Sequence, residues 1–162
     1  MKLKLRKKRQ AGVPVATTIP LAGHDFPIEL NPLSEEEVAE AYKPFRKKKS
    51  VWNSATKQME SVSYLDTEDP EFSKVHNKLV CRTIHNFLAE DAETGAALDG
   101  TLEENKLALA SVMVEDFEDV RAIDDEERVT IVKVPRKRTA GAVVIEKALD
   151  LSRATVEAEA GN

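Results

Sequence analysis

The chain has 162 residues, 41% of them hydrophobic and 33% charged, with a net charge of −5. That length suffices for one domain with its own apolar core. No window approaches the roughly twenty apolar residues of a membrane span, and a single cysteine, Cys81, excludes an internal disulfide.

The first ten residues carry six positive charges, and Leu3 and Leu5 alternate with Lys2, Lys4 and Arg6. Residues 1–12 therefore read as a basic arm or an edge strand. They lack the apolar run of a signal peptide, and with the lone thiol this points to the cytoplasm. A single α+β domain is expected over residues 13–155. Thr17, Thr18 and Ile19 form a β-branched run, Ala22-Gly23-His24-Asp25 are turn residues, and Phe26, Ile28 and Leu30 alternate, which predicts a small N-terminal β-hairpin. Pro14, Pro20 and Pro27 cannot donate to a ladder and keep its strands short or at an edge.

Ser34, with Glu37 three residues on, is a capping box that opens a helix through Val38, Ala41 and Tyr42. Pro44 should end or kink this helix before the basic run Arg46–Lys49. Val51–Leu65 has β-branched and aromatic residues on both sides of the polar NSATKQ and predicts a second hairpin.

Asp69-Pro70 is a cap followed by proline at the first helical position. Phe72, Val75, Leu79, Val80, Thr83, Ile84 and Phe87 fit one broad helical face, giving a helix that ends near Ala89-Glu90-Asp91. A turn with Gly95 and Gly100 follows, and Thr101 with Glu104 forms a second capping box for a helix through Leu102, Leu109, Val112 and Met113. This predicts two antiparallel helices joined by an acidic turn. Glu115–Glu127 contains eight acids and one arginine, with Phe117, Val120 and Ile123 recurring every three residues. Arg128–Val134 has strand propensity, a basic link follows, and the last helix should run from about Thr139 to Ala154. Residues 156–162 read as a loose tail. The expected fold is α+β and helix-dominated, with the hairpin and one further short β element.

Catalytic chemistry finds little support in these residues. Cys81 and His85 have the spacing of two metal ligands on one helix, but zinc needs three or four, so no metal site is expected. No partner or oxyanion donor accompanies a Cys–His pair. Read as a calcium loop from Asp91, the turn has Ala96 where glycine is required and Leu102 where glutamate is required. There is no phosphate loop, nucleophile elbow or dinucleotide fingerprint. The chain is read as non-enzymatic and without cofactor. Basic clusters at Lys2–Arg9, Lys43–Lys49 and Lys133–Arg138 would bind nucleic acid only if they shared one face with stacking aromatics. Acidic blocks lie between them, so nucleic acid is the weaker reading.

Two stretches carry a family resemblance. TTIPLAGHDFPIELNPLSEEE, and TIHNFLAEDAETGAALDGTLEENKLAL with Phe87, Asp91, Glu93, Gly95, Thr101, Glu103, Asn105, Leu107 and Leu109, resemble the tail assembly chaperones of tailed bacteriophages and prophages. The likeness extends over most of the chain. Phe87 stands where a tryptophan is often found in that family, and VWNSATKQMESVSYL and the basic N-terminus depart from its pattern. The resemblance implies a non-catalytic protein of the host cytoplasm that coats the tape-measure protein and helps recruit tail-tube proteins, in many phages with a longer frameshifted form. Such a role requires exposed apolar anchors for amphipathic helices. Leu88, Leu107, Val114, Phe117, Val120 and Ile123 are the candidates, and packing into the core or into a homo-oligomer is their alternative use. The rival functions are a small structural or completion protein retained in the virion, and a nucleic-acid-binding protein.

Overall fold

The computed structural model describes residues 13–160, with side chains described through Arg153. The chain is strand-rich, 44% strand against 33% helix, so the expectation of a helix-dominated fold is corrected. The described residues form eight strands and four α-helices.

β1 (Val15–Leu21) and β2 (His24–Leu30) form the expected hairpin. Ala22 and Gly23 both have positive φ, 49° and 78°, which is the backbone of a two-residue turn matched to strand twist. Ser34 then caps α1 (Glu35–Tyr42): its hydroxyl accepts from the Glu37 N–H, and the Glu37 carboxylate accepts from the Ser34 N–H. A 3₁₀ turn at Lys43–Phe45, containing Pro44, ends this helix. β3 (Arg46–Asn53) and β4 (Gln58–Leu65) form the second expected hairpin.

α2 (Pro70–Thr83) starts on the Asp69 cap, as the Asp-Pro pair requires. It stops seven residues before the expected end. Ile84–Glu90 is strand β5, which pairs with β2 and then with β6 (Ala97–Asp99). The β1-β2-β5-β6 sheet thereby replaces the expected helix-turn-helix. The physical reason is non-local: β5 completes the open edge of β2, setting Phe87 opposite Ile28 and Ile84 opposite Leu30. The turn from Asp91 to Gly95 is tied by the Asp91 carboxylate, which accepts from the N–H groups of Glu93 and Thr94.

α3 (Glu103–Ala110) begins one residue later than expected, with Leu102 at the cap position and no side-chain cap. Thr101 does not close its capping box, because its hydroxyl donates to Asp99 instead. The acidic segment is strand β7 (Met113–Ile123), paired along its whole length with β8 (Val129–Thr139). α4 (Ala140–Ala160) closes the chain, extending past the expected end at Ala154 and through most of the stretch read as a loose tail. The arm expected over residues 1–12 lies outside the described residues.

The core joins Ile19, Ile28, Leu30, Ile84 and Phe87 of the sheet to Leu79 and Val80 of α2, Leu109 and Ala110 of α3, and Val143, Val144, Ile145 and Ala148 of α4. The two remaining hairpins, β3–β4 and β7–β8, each form a separate two-stranded sheet.

Candidate partner-binding surface

The six anchors proposed from sequence do not converge. Val114 is buried at the base of β7, where it belongs to the core cluster. Leu107 is half-buried on α3. Leu88 is exposed on β5, on the side of the sheet opposite its buried neighbours Ile84 and Phe87. Phe117, Val120 and Ile123 are exposed, but on a strand. Successive side chains of a strand alternate between faces, so Phe117 and Ile123 share one face of the ribbon while Val120 lies on the other. A three-residue recurrence is one stripe on a helix and two faces here.

The opposite strand carries further apolar residues, which the sequence reading treated only as a strand. Ile123 pairs with Val129, Arg121 with Ile131, and Phe117 with Pro135 on one face; Val120 pairs with Val132 and Glu118 with Val134 on the other. Val129, Ile131, Val132 and Val134 are all exposed. Eleven residues of extended chain span about 35 Å, and along one face of this arm the apolar Phe117–Pro135 and Ile123–Val129 pairs are separated by Asp119, Lys133 and Arg121.

Ion pairs fasten its base. Arg136 grips the Asp116 carboxylate with two hydrogen bonds, 2.8 and 3.0 Å, and Arg138 adds a third at 2.9 Å. Arg138 also reaches Glu146 on α4. The hydrogen bond from Arg136 holds the Asp116 carboxyl below the usual carboxylate range, and the Arg138 guanidinium does the same for Glu146. Glu115 and Lys137 make a cross-strand pair at 3.1 Å on the other face. The basic cluster on β8 is thus largely neutralised by the acids of its own arm.

The β3–β4 arm differs in chemistry. Trp52 and Met59 face each other across the strands near its tip, both exposed. Lys49 lies over the Tyr64 ring, 5.2 Å from its centroid, and Lys47 pairs with Asp66 at the base. The Val51–Leu65 segment is therefore the outer part of a two-stranded arm.

A depression of about 800 Å³ lies between α1 and α2, lined by Glu36, Glu37 and Glu40 against Lys78 and Arg82 over Ala41, Val75 and Leu79. Beside it, His76 is hydrogen-bonded to the Tyr42 hydroxyl at 2.7 Å. Cys81 is half-buried on α2, and burial pushes its thiol up from the ordinary value. Cys81 and His85, grouped as two turns of one helix in the sequence, are divided between α2 and β5. Among the described residues no group of three or more His, Cys, Asp or Glu side chains is placed to hold a metal, and no helix is long and apolar enough to cross a membrane.

Comparison with protein-family models, with curated proteins and with solved structures finds no match to this chain.

Proposed function

We propose that this protein is a non-catalytic tail assembly chaperone of a tailed bacteriophage or prophage. In the host cytoplasm it binds the tape-measure protein and helps recruit tail-tube subunits. The proposal rests on the resemblance of the Thr83–Leu109 stretch and of the N-terminal hairpin segment. One structural observation supports it: the exposed apolar ribbon of the β7–β8 arm, with Phe117, Ile123, Val129 and Ile131 on one face. Exposed apolar groups of this kind mark interaction sites when they cluster, as Ile123, Val129 and Ile131 do at the outer end of the arm. Recognition by a ribbon works through alternate side chains and unpaired strand edges rather than through a helix-lined groove.

The test is co-expression with the tape-measure protein of the same phage, followed by affinity co-purification. A Phe117→Asp/Ile123→Asp variant that retains its fold should lose the tape-measure protein. Undiminished recovery would overturn the proposal. The two projecting arms also favour a second reading, a small tail or completion protein retained in the virion, since arms suit permanent subunit contacts. Mass spectrometry of purified virions separates the two, because a chaperone should be absent from the mature particle.

A further inference from the structure

We infer that the two arms are the two halves of a contact between copies of this chain, the basic β3–β4 arm of one copy docking on the distal half of the β7–β8 arm of the next. The arms carry apolar ends of similar build and opposite charge. At one end Trp52 and Met59, 58% and 60% exposed, form a cross-strand pair; at the other Ile123 and Val129, 75% and 66% exposed, form the corresponding pair. The arm that carries the first pair, Arg46–Leu65, holds five cations against Glu60 alone: Lys57 in the tip turn and Arg46, Lys47, Lys48 and Lys49 toward the base. Just beyond the second, the Asp124–Arg128 turn holds four acids against Arg128 alone. Arg46, Lys48, Lys49 and Lys57 have no carboxylate partner among the described residues, and neither cation nor backbone engages Asp125 there.

Apolar ends alone would pair indiscriminately. The flanking charge decides the pairing, because basic-to-basic and acidic-to-acidic contacts repel while the unlike contact attracts. Burying either apolar pair removes surface from water that the isolated chain leaves exposed. Two different patches meeting make a heterologous contact, which either closes into a ring or continues head to tail. This contact does not depend on the tape-measure protein.

The test uses the full chain and two variants. Lys48→Ser/Lys49→Ser/Trp52→Ser disables the basic arm; Ile123→Ser/Asp125→Asn/Glu126→Gln disables the acidic one, leaving Asp124 to hold its turn. All these residues are exposed, so both variants should fold, which circular dichroism checks; should either fail, Trp52→Ser and Ile123→Ser alone carry the test. In sedimentation velocity at low salt the wild-type chain should self-associate, and added salt should reverse this. Each variant alone should be monomeric, with affinity weakened at least tenfold. An equimolar mixture should form a one-to-one pair that grows no further, because only one working contact remains. A monomeric wild-type chain, or a mixture that stays monomeric, would overturn the inference. So would salt-sensitive retention of duplex or single-stranded DNA that the basic-arm variant loses while no protein copies associate. No tape-measure protein is present, so this result is separate from the co-purification.

Discussion

Gly100 lies directly against the backbone of Phe87. A Cβ built at Gly100 would stand 2.2 Å from the Phe87 carbonyl oxygen and 2.5 Å from its nitrogen, with Asn86 Oδ1 at 2.6 Å. Only a residue without a side chain permits this approach of the β6–α3 turn to β5. Gly100→Ala should therefore destabilise the fold by about 3 kcal/mol, since the obstacle is backbone and cannot swing aside. A thermal midpoint lowered by roughly 10 °C is expected; an unchanged midpoint would mean that the turn lies farther from β5.

Burial separates anchors from exposed apolar residues on adjoining elements. Leu79 and Leu109, 5% and 9% exposed, fill the core between α2, α3 and α4. Replacing either with alanine should cost about 2–5 kcal/mol in urea unfolding. Leu88→Ala, at a residue 83% exposed, should leave the unfolding free energy within about 0.5 kcal/mol of the original. A large loss at Leu88 would show that its face is covered in solution.

His76 should make stability depend on pH. Its imidazole is half-buried among Tyr42, Phe72, Ala110 and Gly141, and burial holds its pKa below the ordinary 6.5. Tyr42, pushed up to about 12, stays protonated throughout and can donate to Nδ1 of the neutral ring. The unfolded chain then binds a proton at higher pH than the folded one. Stability should fall as pH drops through about 6.5, and keep falling until the folded protein itself takes the proton. His76→Gln should flatten the urea midpoint between pH 7.5 and 5.5. The same slope in the variant would assign the dependence elsewhere.

Asp116 fastens the base of the β7–β8 arm by holding Arg136 and Arg138 together. Its folded pKa is lowered, so this contribution is present above the unfolded value of 3.8 and is lost as pH falls through the folded one. Asp116→Asn should speed amide hydrogen exchange along the first residues of β7 and the last of β8 while leaving β5 protected. Uniform loss of protection would show that the arm and the core unfold as one unit.

What was readable in the sequence was local. The Ala22-Gly23 turn, the Ser34/Glu37 box, the Pro44 stop, the Asp69-Pro70 start and both early hairpins depend on neighbours within a few residues, and each is found. The errors depend on distant partners. Ile84 and Phe87 continue the helical spacing of Leu79 and Val80, yet they also fit a strand, and the free edge of β2 more than fifty residues earlier decides between them. Thr83 marks the break, its hydroxyl donating back to the Leu79 carbonyl at 2.7 Å, a bond that competes with continued helix. The recurrence of Phe117, Val120 and Ile123 assigned no element to the acidic segment, and pairing with β8, including Asp116 with Arg136, makes it a strand. The apolar arm was only half visible for the same reason: Val129 and Ile131 join Ile123 and Phe117 on one face only once the register is set.

Because α4 supplies Ala140, Val143, Val144, Ile145 and Ala148 to the core, and the Ala148 carbonyl accepts from the Leu33 N–H, the core is complete only once α4, which follows every other described element in chain order, has packed. A nascent chain on the ribosome holds both long hairpins and an open apolar floor before that helix arrives, when exposed strand edges are most prone to mispairing.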